Sequence, residues 1–216
     1  GFAQDGSINE RTLEHGDSMR SYLLYVPASY DGTTEWPLIV SYHGYRVDLN
    51  NHMNGTRMNI EADMARYIVA YPQGLDVNHP RGTAPGWNFT GQLSENDDVG
   101  FSLEVINDIK ADYLINPSRV HLTGWSMGAG IAYNVACLHS EQIASLAAVS
   151  QQMLQPQIFA CTPDRAMSFL QIHGTEDPAV SFEGRSPFSR PAPETAAFWG
   201  SLNNCSLDPT SVELED

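Results

Sequence analysis

Ser126 stands in the run Gly124-Trp125-Ser126-Met127-Gly128. The preceding Arg119-Val120-His121-Leu122-Thr123 reads as a buried strand, and residues 129–138 are mostly small and apolar and read as a helix. Strand, G-x-S-x-G and helix together are the setting of a nucleophile elbow. The turn is tight enough that both flanking positions call for glycine, which accepts such a backbone without a Cβ penalty. The serine is then held above a sheet, with the free N–H groups of a helix N-terminus beside it.

A serine hydroxyl is a weak nucleophile at neutral pH and needs an adjacent base and an orienting acid. In this topology the acid lies on the loop after a later strand, which selects Asp177 in Gly174-Thr175-Glu176-Asp177-Pro178. Glu176 competes with it, and a plain turn before Pro178 is the other reading. An oxyanion hole needs two donors: the backbone N–H of Met127, and that of Tyr45 after His43-Gly44. The base is harder to find, because no histidine occurs from position 174 to 216. His15, His43, His52, His79, His121, His139 and His173 remain. His121 and His139 are poorly placed on the elbow strand and helix. His43 and His173 precede glycines at strand ends, where a ring braces a loop. His79 lies in a long loop within reach of a cleft.

The elements that must position these groups follow from periodicity. Residues 19–27 alternate as a strand, and 36–42 form a continuous apolar run suited to a strand buried on both faces. Residues 50–56 read as a polar loop, 57–66 as a helix and 67–71 as a strand. Residues 75–98 carry no period and include Pro80, Pro85, Gly86 and Trp87, the mark of a functional loop. Asp97 or Asp98 then caps a helix to about position 114, with Leu103, Ile106, Ile109 and Tyr113 as its apolar stripe. Residues 144–149 and 168–173 are further strands, and 193–202 a helix with Phe198 and Trp199 inward. Residues 1–16 form an edge strand or a loose arm. Alternating strands and helices predict a mostly parallel sheet covered on both faces. With the elbow at its centre, this is an α/β-hydrolase fold in one domain, 1–216. The ends of three strands, at His43-Gly44, Ser126 and His173, converge on one crevice.

Composition narrows the partners. A balance of 11 basic against 26 acidic side chains, net −15, disfavours nucleic acid and anionic membrane surfaces. No apolar run reaches the 18 residues that a membrane-spanning helix needs. The chain begins Gly1-Phe2-Ala3-Gln4-Asp5 without methionine, as a processed N-terminus would. Cys137, Cys161 and Cys205 allow one disulfide and leave one thiol. Asn54, Asn88 and Asn204 stand in glycosylation patterns, relevant only in a eukaryotic host.

Several further segments carry a family resemblance: Arg20 through Pro27, Pro37 to Gly44, Tyr71-Pro72-Gln73-Gly74, Gly86-Trp87-Asn88, Asp97-Asp98-Val99-Gly100-Phe101, Ile172 to Val180 and Thr195 to Cys205. With the elbow, they span nearly the whole chain. The sequence resembles the secreted poly(3-hydroxybutyrate) depolymerase-like esterases, which merge with feruloyl and acetylxylan esterases. The resemblance implies a secreted, extracellular or periplasmic serine esterase that works through an acyl-enzyme without metal or organic cofactor. Its substrates would be short acyl, aromatic or polyester compounds. It carries over Ser126 as nucleophile and Asp177 as acid. It also places Trp87 and Asp98 beside the cleft, with Trp125 of the elbow; a core tryptophan and a helix cap are the bland readings of the first two. Tyr45 stands where the family commonly has cysteine. The family also continues past a cysteine like Cys205 to a loop carrying the catalytic histidine. The resemblance therefore implies that the C-terminal part of the fold, with the base, lies beyond this sequence. It further implies that Cys137 pairs with Cys161 and that Cys205 lacks its partner. A catalytically impaired fold that binds polymer or glycan, an acyltransferase on the same scaffold, and a base supplied in trans are the alternatives.

Overall fold

The computed structural model describes residues 6–206 and 208–213. Gly1 to Asp5 and Glu215-Asp216, on which the processed-start and truncation expectations rest, lie outside the described residues. The elements run β1 Ser7–His15, β2 Ser18–Val26, β3 Trp36–Tyr42, α1 Leu49–Thr56, α2 Met58–Ala65, β4 Ile68–Pro72, β5 Asp76–His79 and β6 Gly82–Pro85. They continue with α3 Asp98–Asp112, β7 Ile115–Trp125, α4 Met127–Leu138, β8 Ser145–Val149, α5 Gln155–Ala160, β9 Ser168–Ile172 and α6 Ala192–Leu202. Seven strands form one sheet in the order β1-β2-β4-β3-β7-β8-β9. β1 and β2 pair antiparallel, as do β2 and β4, and every pairing from β4 to β9 is parallel. This is the mostly parallel, helix-flanked sheet of an α/β-hydrolase.

The alternation in β2 divides its side chains between two cores. Tyr22, Leu24 and Val26 join the larger core with Trp36, Val40, Phe101, Ile106 and most of α4. Leu23 and Tyr25 join the smaller core with Leu49 and Met53 of α1, Ala62 of α2 and Tyr71 of β4. α4 is buried over most of its circumference, which explains its run of small and apolar residues. Trp199 of α6 stacks on Phe169 of β9 at 5.3 Å between ring centroids and closes the larger core at its far end.

Two segments differ from the sequence expectation. Residues 50–56 are helical rather than a loop: Asp48 accepts the Asn51 amide at 2.9 Å as an N-cap. Leu49, His52 and Met53 then supply a narrow buried face among polar residues, too sparse to register as a period. The long stretch from 75 to 98 contains an antiparallel hairpin, β5–β6. Its remainder is organised by Asn88, whose side-chain amide donates to the Ser94 and Asn96 carbonyls while its oxygen accepts the Leu93 amide. That use of the Asn88 side chain leaves it ill suited to glycosylation. α5 was not foreseen, being short and opened by Pro156.

Asp98 begins α3 but is not its cap; Asp97 fills that role, accepting from the Gly100 amide at 2.8 Å. The Asp98 carboxylate is wholly buried and pairs with the equally buried Arg20 at 2.8 Å. Its second oxygen accepts the Asn88 amide at 2.7 Å. Arg20 also lies 3.9 Å above the Phe101 ring and donates to the Gln73 carbonyl. Burial pushes the Asp98 carboxyl up, with Arg20 and the Asn88 amide opposing it. Removing one member of such a pair leaves an uncompensated buried charge. Asp98→Asn should therefore lower unfolding free energy by roughly 3–5 kcal/mol in urea titrations. The double variant Arg20→Met/Asp98→Leu, which removes both charges, should lose less than the single one.

Candidate active site

Ser126 closes β7 with φ 53° and ψ −123°, a left-handed backbone that a non-glycine residue adopts only under constraint. The constraint is local. Its amide is tied to the Val149 carbonyl at 2.8 Å, and its carbonyl accepts from Ala129 at 2.9 Å. A Cβ on Gly124 would lie 2.2 Å from the Gly128 carbonyl oxygen, and one on Gly128 would lie 2.1 Å from that of Tyr42. No side chain fits at either place. The glycines let the first turn of α4 settle onto the end of β3, so the chain after β3 is brought beside Ser126.

Ser126 lies in a cleft of about 440 Å³, with Met127, Tyr45, His79, Phe89, Gln151 and Gln152 among its walls. Met127 is the first residue of α4, and Tyr45 follows β3 through Gly44. Among the described residues neither the Met127 nor the Tyr45 backbone N–H has an acceptor. Two residues with unpaired backbone amides, one opening α4 and one on the loop after β3, therefore line the same cleft as the serine. The Tyr45 hydroxyl donates to the Gly82 carbonyl and its ring stacks on His79 at 4.4 Å, which fixes that loop against the hairpin.

Asp177 sits on the turn after β9. One carboxylate oxygen accepts the amides of Ala179 and Val180, each at 2.9 Å. Ala179, Val180 and Ser181 themselves line the cleft. The Val180 amide, then the Ala179 amide, Ser150 and His173, hold the Asp177 carboxyl below the usual carboxylate range against desolvation. Asp177 is ionised at neutral pH and anchored two residues before the first of these wall residues, Ala179.

None of the seven histidines hydrogen-bonds Ser126. The His43 ring is fully buried: Nε2 accepts the Gly74 amide at 2.9 Å, so Nδ1 carries the proton and donates to the Gly44 carbonyl at 2.7 Å. His173 Nε2 donates to the Val180 carbonyl at 2.8 Å and stands 3.9 Å from Asp177. His79 alone among them lines the cleft, but its Nδ1 accepts the Arg81 amide at 3.1 Å. The neutral ring then holds its proton on Nε2, and no free lone pair remains to take one from Ser126. His52 and His121 bond to serines Ser41 and Ser145, and His15 and His139 lie near carboxylates. Among the described residues Ser126 Oγ has no hydrogen-bond partner.

The three residues expected on the cleft wall are placed otherwise. Trp87 is in the core, fully buried, with its indole N–H on the His43 carbonyl at 2.9 Å. Its backbone amide reaches the Met127 sulfur at 3.2 Å, so it packs behind the elbow rather than inside the cleft. Asp98 is sealed in its ion pair with Arg20. Trp125 turns to the α1–α2 side, where it walls a separate, mostly apolar cavity of about 620 Å³ with Ser41, His52 and Met58. That cavity is the larger, but Ser126 does not line it. The cleft residues that sequence reasoning missed are Gln151 and Gln152, directly after Ser150, and the strap carrying Arg185 and Phe188. Gln151 and Gln152 follow the carboxyl end of β8, where a parallel sheet binds its ligands, and that rule would have found them. Cys137 and Cys161 are bonded as the resemblance implied, and Cys205 is an exposed free thiol.

A parallel sheet with a strained serine between its central strand and a buried helix defines the class as an α/β-hydrolase. The chain belongs to the esterase PHB depolymerase family, whose family model matches residues 20–180. It is 24% identical over 200 residues to feruloyl esterase B of Piromyces equi, covering 88% of this chain and 37% of that protein. It is 28% identical over 179 residues to the bifunctional acetylxylan esterase/xylanase of Neocallimastix patriciarum, covering 82% of this chain and 24% of that protein. The chain thus spans between about a quarter and somewhat over a third of the length of these two relatives. Among solved structures, a ferulic acid esterase from Anaeromyces mucronatus in complex with ferulic acid superposes with TM-score 0.66 at 15% identity, over 95% of this chain and 82% of that one. A thermostable esterase superposes with TM-score 0.64 at 15% identity, over 92% and 52%.

Burial drives the His43 and His52 rings down from 6.5 to about 4. Both are neutral in the fold, while the unfolded chain protonates them below its own value near 6.5. Their contribution is complete above pH 6.5 and is lost as pH falls toward 4. Each ring should remove about 2 kcal/mol of stability between pH 7 and pH 5. Urea midpoints across that window should fall steeply for the parent and about half as steeply for His52→Asn.

Proposed function

We propose that the chain is the core of a serine carboxylic-ester hydrolase that works through an acyl-enzyme on acetyl or aromatic acyl esters. The observation that carries this reading is the left-handed Ser126, lining the same cleft as Met127 and Tyr45, whose backbone amides are unpaired. Ser126 Oγ attacks the ester carbonyl carbon, and its proton passes to a base. The carbonyl oxygen gains the negative charge, stabilised by the Met127 and Tyr45 amides and by the N-terminus of α4. The alcohol leaves with the proton, and water then releases the acid. Asp177 orients the base and balances its charge. The base would be a histidine supplied from outside this sequence, since none of the seven within it hydrogen-bonds Ser126.

The feruloyl and acetylxylan esterase relatives support the ester class, and the Cys137–Cys161 disulfide supports a secreted or periplasmic setting. Among the described residues no helix is long and apolar enough to cross a membrane. One observation favours the rival reading of a catalytically impaired binding fold: the absence of a histidine partner for Ser126 among those residues.

Chemical rescue separates the two. Hydrolysis of p-nitrophenyl acetate by the 216-residue chain should rise saturably with added imidazole. Ser126→Ala should leave only the linear background that free imidazole gives without protein, and Asp177→Asn should weaken the saturable rise above it. A rate equal to the Ser126→Ala control at every imidazole concentration would favour the binding fold.

A further inference from the structure

The chain carries 11 basic against 26 acidic side chains, yet the Ser126 cleft reverses that balance. Arg81 and Arg185 line it, and no aspartate or glutamate does among the described residues. The two come from different walls. Arg81 stands in the turn between β5 and β6. Arg185 belongs to the strap 181–189, which is held by Gly184 N–H to Ser181 at 2.9 Å, Phe188 N–H to Arg185 at 2.7 Å and Gln155 N–H to Phe188 at 2.9 Å. Both backbones are therefore anchored while their side chains are exposed.

These guanidinium groups are also unspent. Arg11, Arg20 and Arg190 each have a carboxylate partner. Among the described residues the Arg81 and Arg185 side chains have neither an ion pair nor a hydrogen bond. Arg46 adds a third charge near the same hairpin: it donates to the Arg81 carbonyl and lies 5.2 Å from the Tyr45 ring centre. His79 registers this field, its pKa lowered first by burial and then by Arg81 and Arg46. The N-terminus of α4 points partial positive charge at the same space. A cleft of one sign inside a molecule of the other concentrates a ligand of opposite charge.

We infer that the ester taken by this cleft bears a free carboxylate, held by Arg81 and Arg185 while its ester group lies over Ser126. The inference rests on the esterase reading for the reaction but not for the binding. A planar guanidinium matches a carboxylate through paired N–H donors, and such charge-assisted bonds are about twice as strong as neutral ones. Tyr45, Phe89 and Phe188 supply the apolar surface for the rest of the molecule.

Calorimetry on the Ser126→Ala chain tests the binding without turnover, so its result is independent of whether Ser126 is the nucleophile. The probes are N-phenylsuccinamic acid and its neutral methyl ester, in low-salt buffer. The acid should bind at least about fivefold more tightly, with the preference shrinking as salt is raised. Arg81→Gln and Arg185→Gln, both at exposed positions, should each weaken acid binding threefold or more and leave the methyl ester unchanged. Equal affinity for the two probes would overturn the inference. So would no acid binding at millimolar concentration, or arginine variants that weaken both probes alike.

Discussion

The site depends on one steric constraint, the approach of α4 to the end of β3. Gly128 lies so close to the Tyr42 and His43 carbonyls that no Cβ could enter. That contact fixes Ser126 in its left-handed turn and sets the Met127 amide. It also draws the Tyr45 loop alongside, because Tyr45 is only three residues beyond Tyr42. A side chain at Gly128 would push apart the proposed nucleophile and both proposed oxyanion donors together. The elbow is thus a property of two strand ends and a helix, not of five residues in isolation.

Behind this contact lies a scaffold of polar groups that never meet a ligand. Arg20 and Asp98 join β2 to α3, and the second Asp98 oxygen takes the Asn88 amide. Trp87 bonds to the His43 carbonyl, and His43 in turn accepts from Gly74. Gly74 and Gly86 approach within a distance that admits no side chain on Gly74. Segments that resemble a cleft lining in sequence are, in space, the brace that keeps the Tyr45 and hairpin loops in place. Buried charges and a buried neutral imidazole are costly when a partner is removed, so the brace resists rearrangement.

Much of this was legible in the chain. β3 matches its apolar run residue for residue, and the elbow, α4 and α6 lie where periodicity and glycine spacing put them. The α1 helix was hidden because only Leu49, His52 and Met53 face inward amid asparagines, and its start depends on the Asp48 cap. The hairpin at 76–85 was hidden because its strands are four residues each and half exposed. Trp87 and Asp98 were assigned to the cleft by resemblance, and nothing local distinguishes a buried arginine partner from a ligand contact. Arg185 could not be found from sequence, because the strap reaches Ser126 only through the tertiary fold.

The central claim is that the backbone around Ser126 makes this serine, and no other, the reactive one. The direct measurement is fluorophosphonate labelling of the 216-residue chain in the presence of imidazole, with the modified peptide located by mass spectrometry. The account predicts one adduct, on Ser126, prevented by Ser126→Ala. Modification of a different serine, or persistence of the adduct in Ser126→Ala, would contradict it.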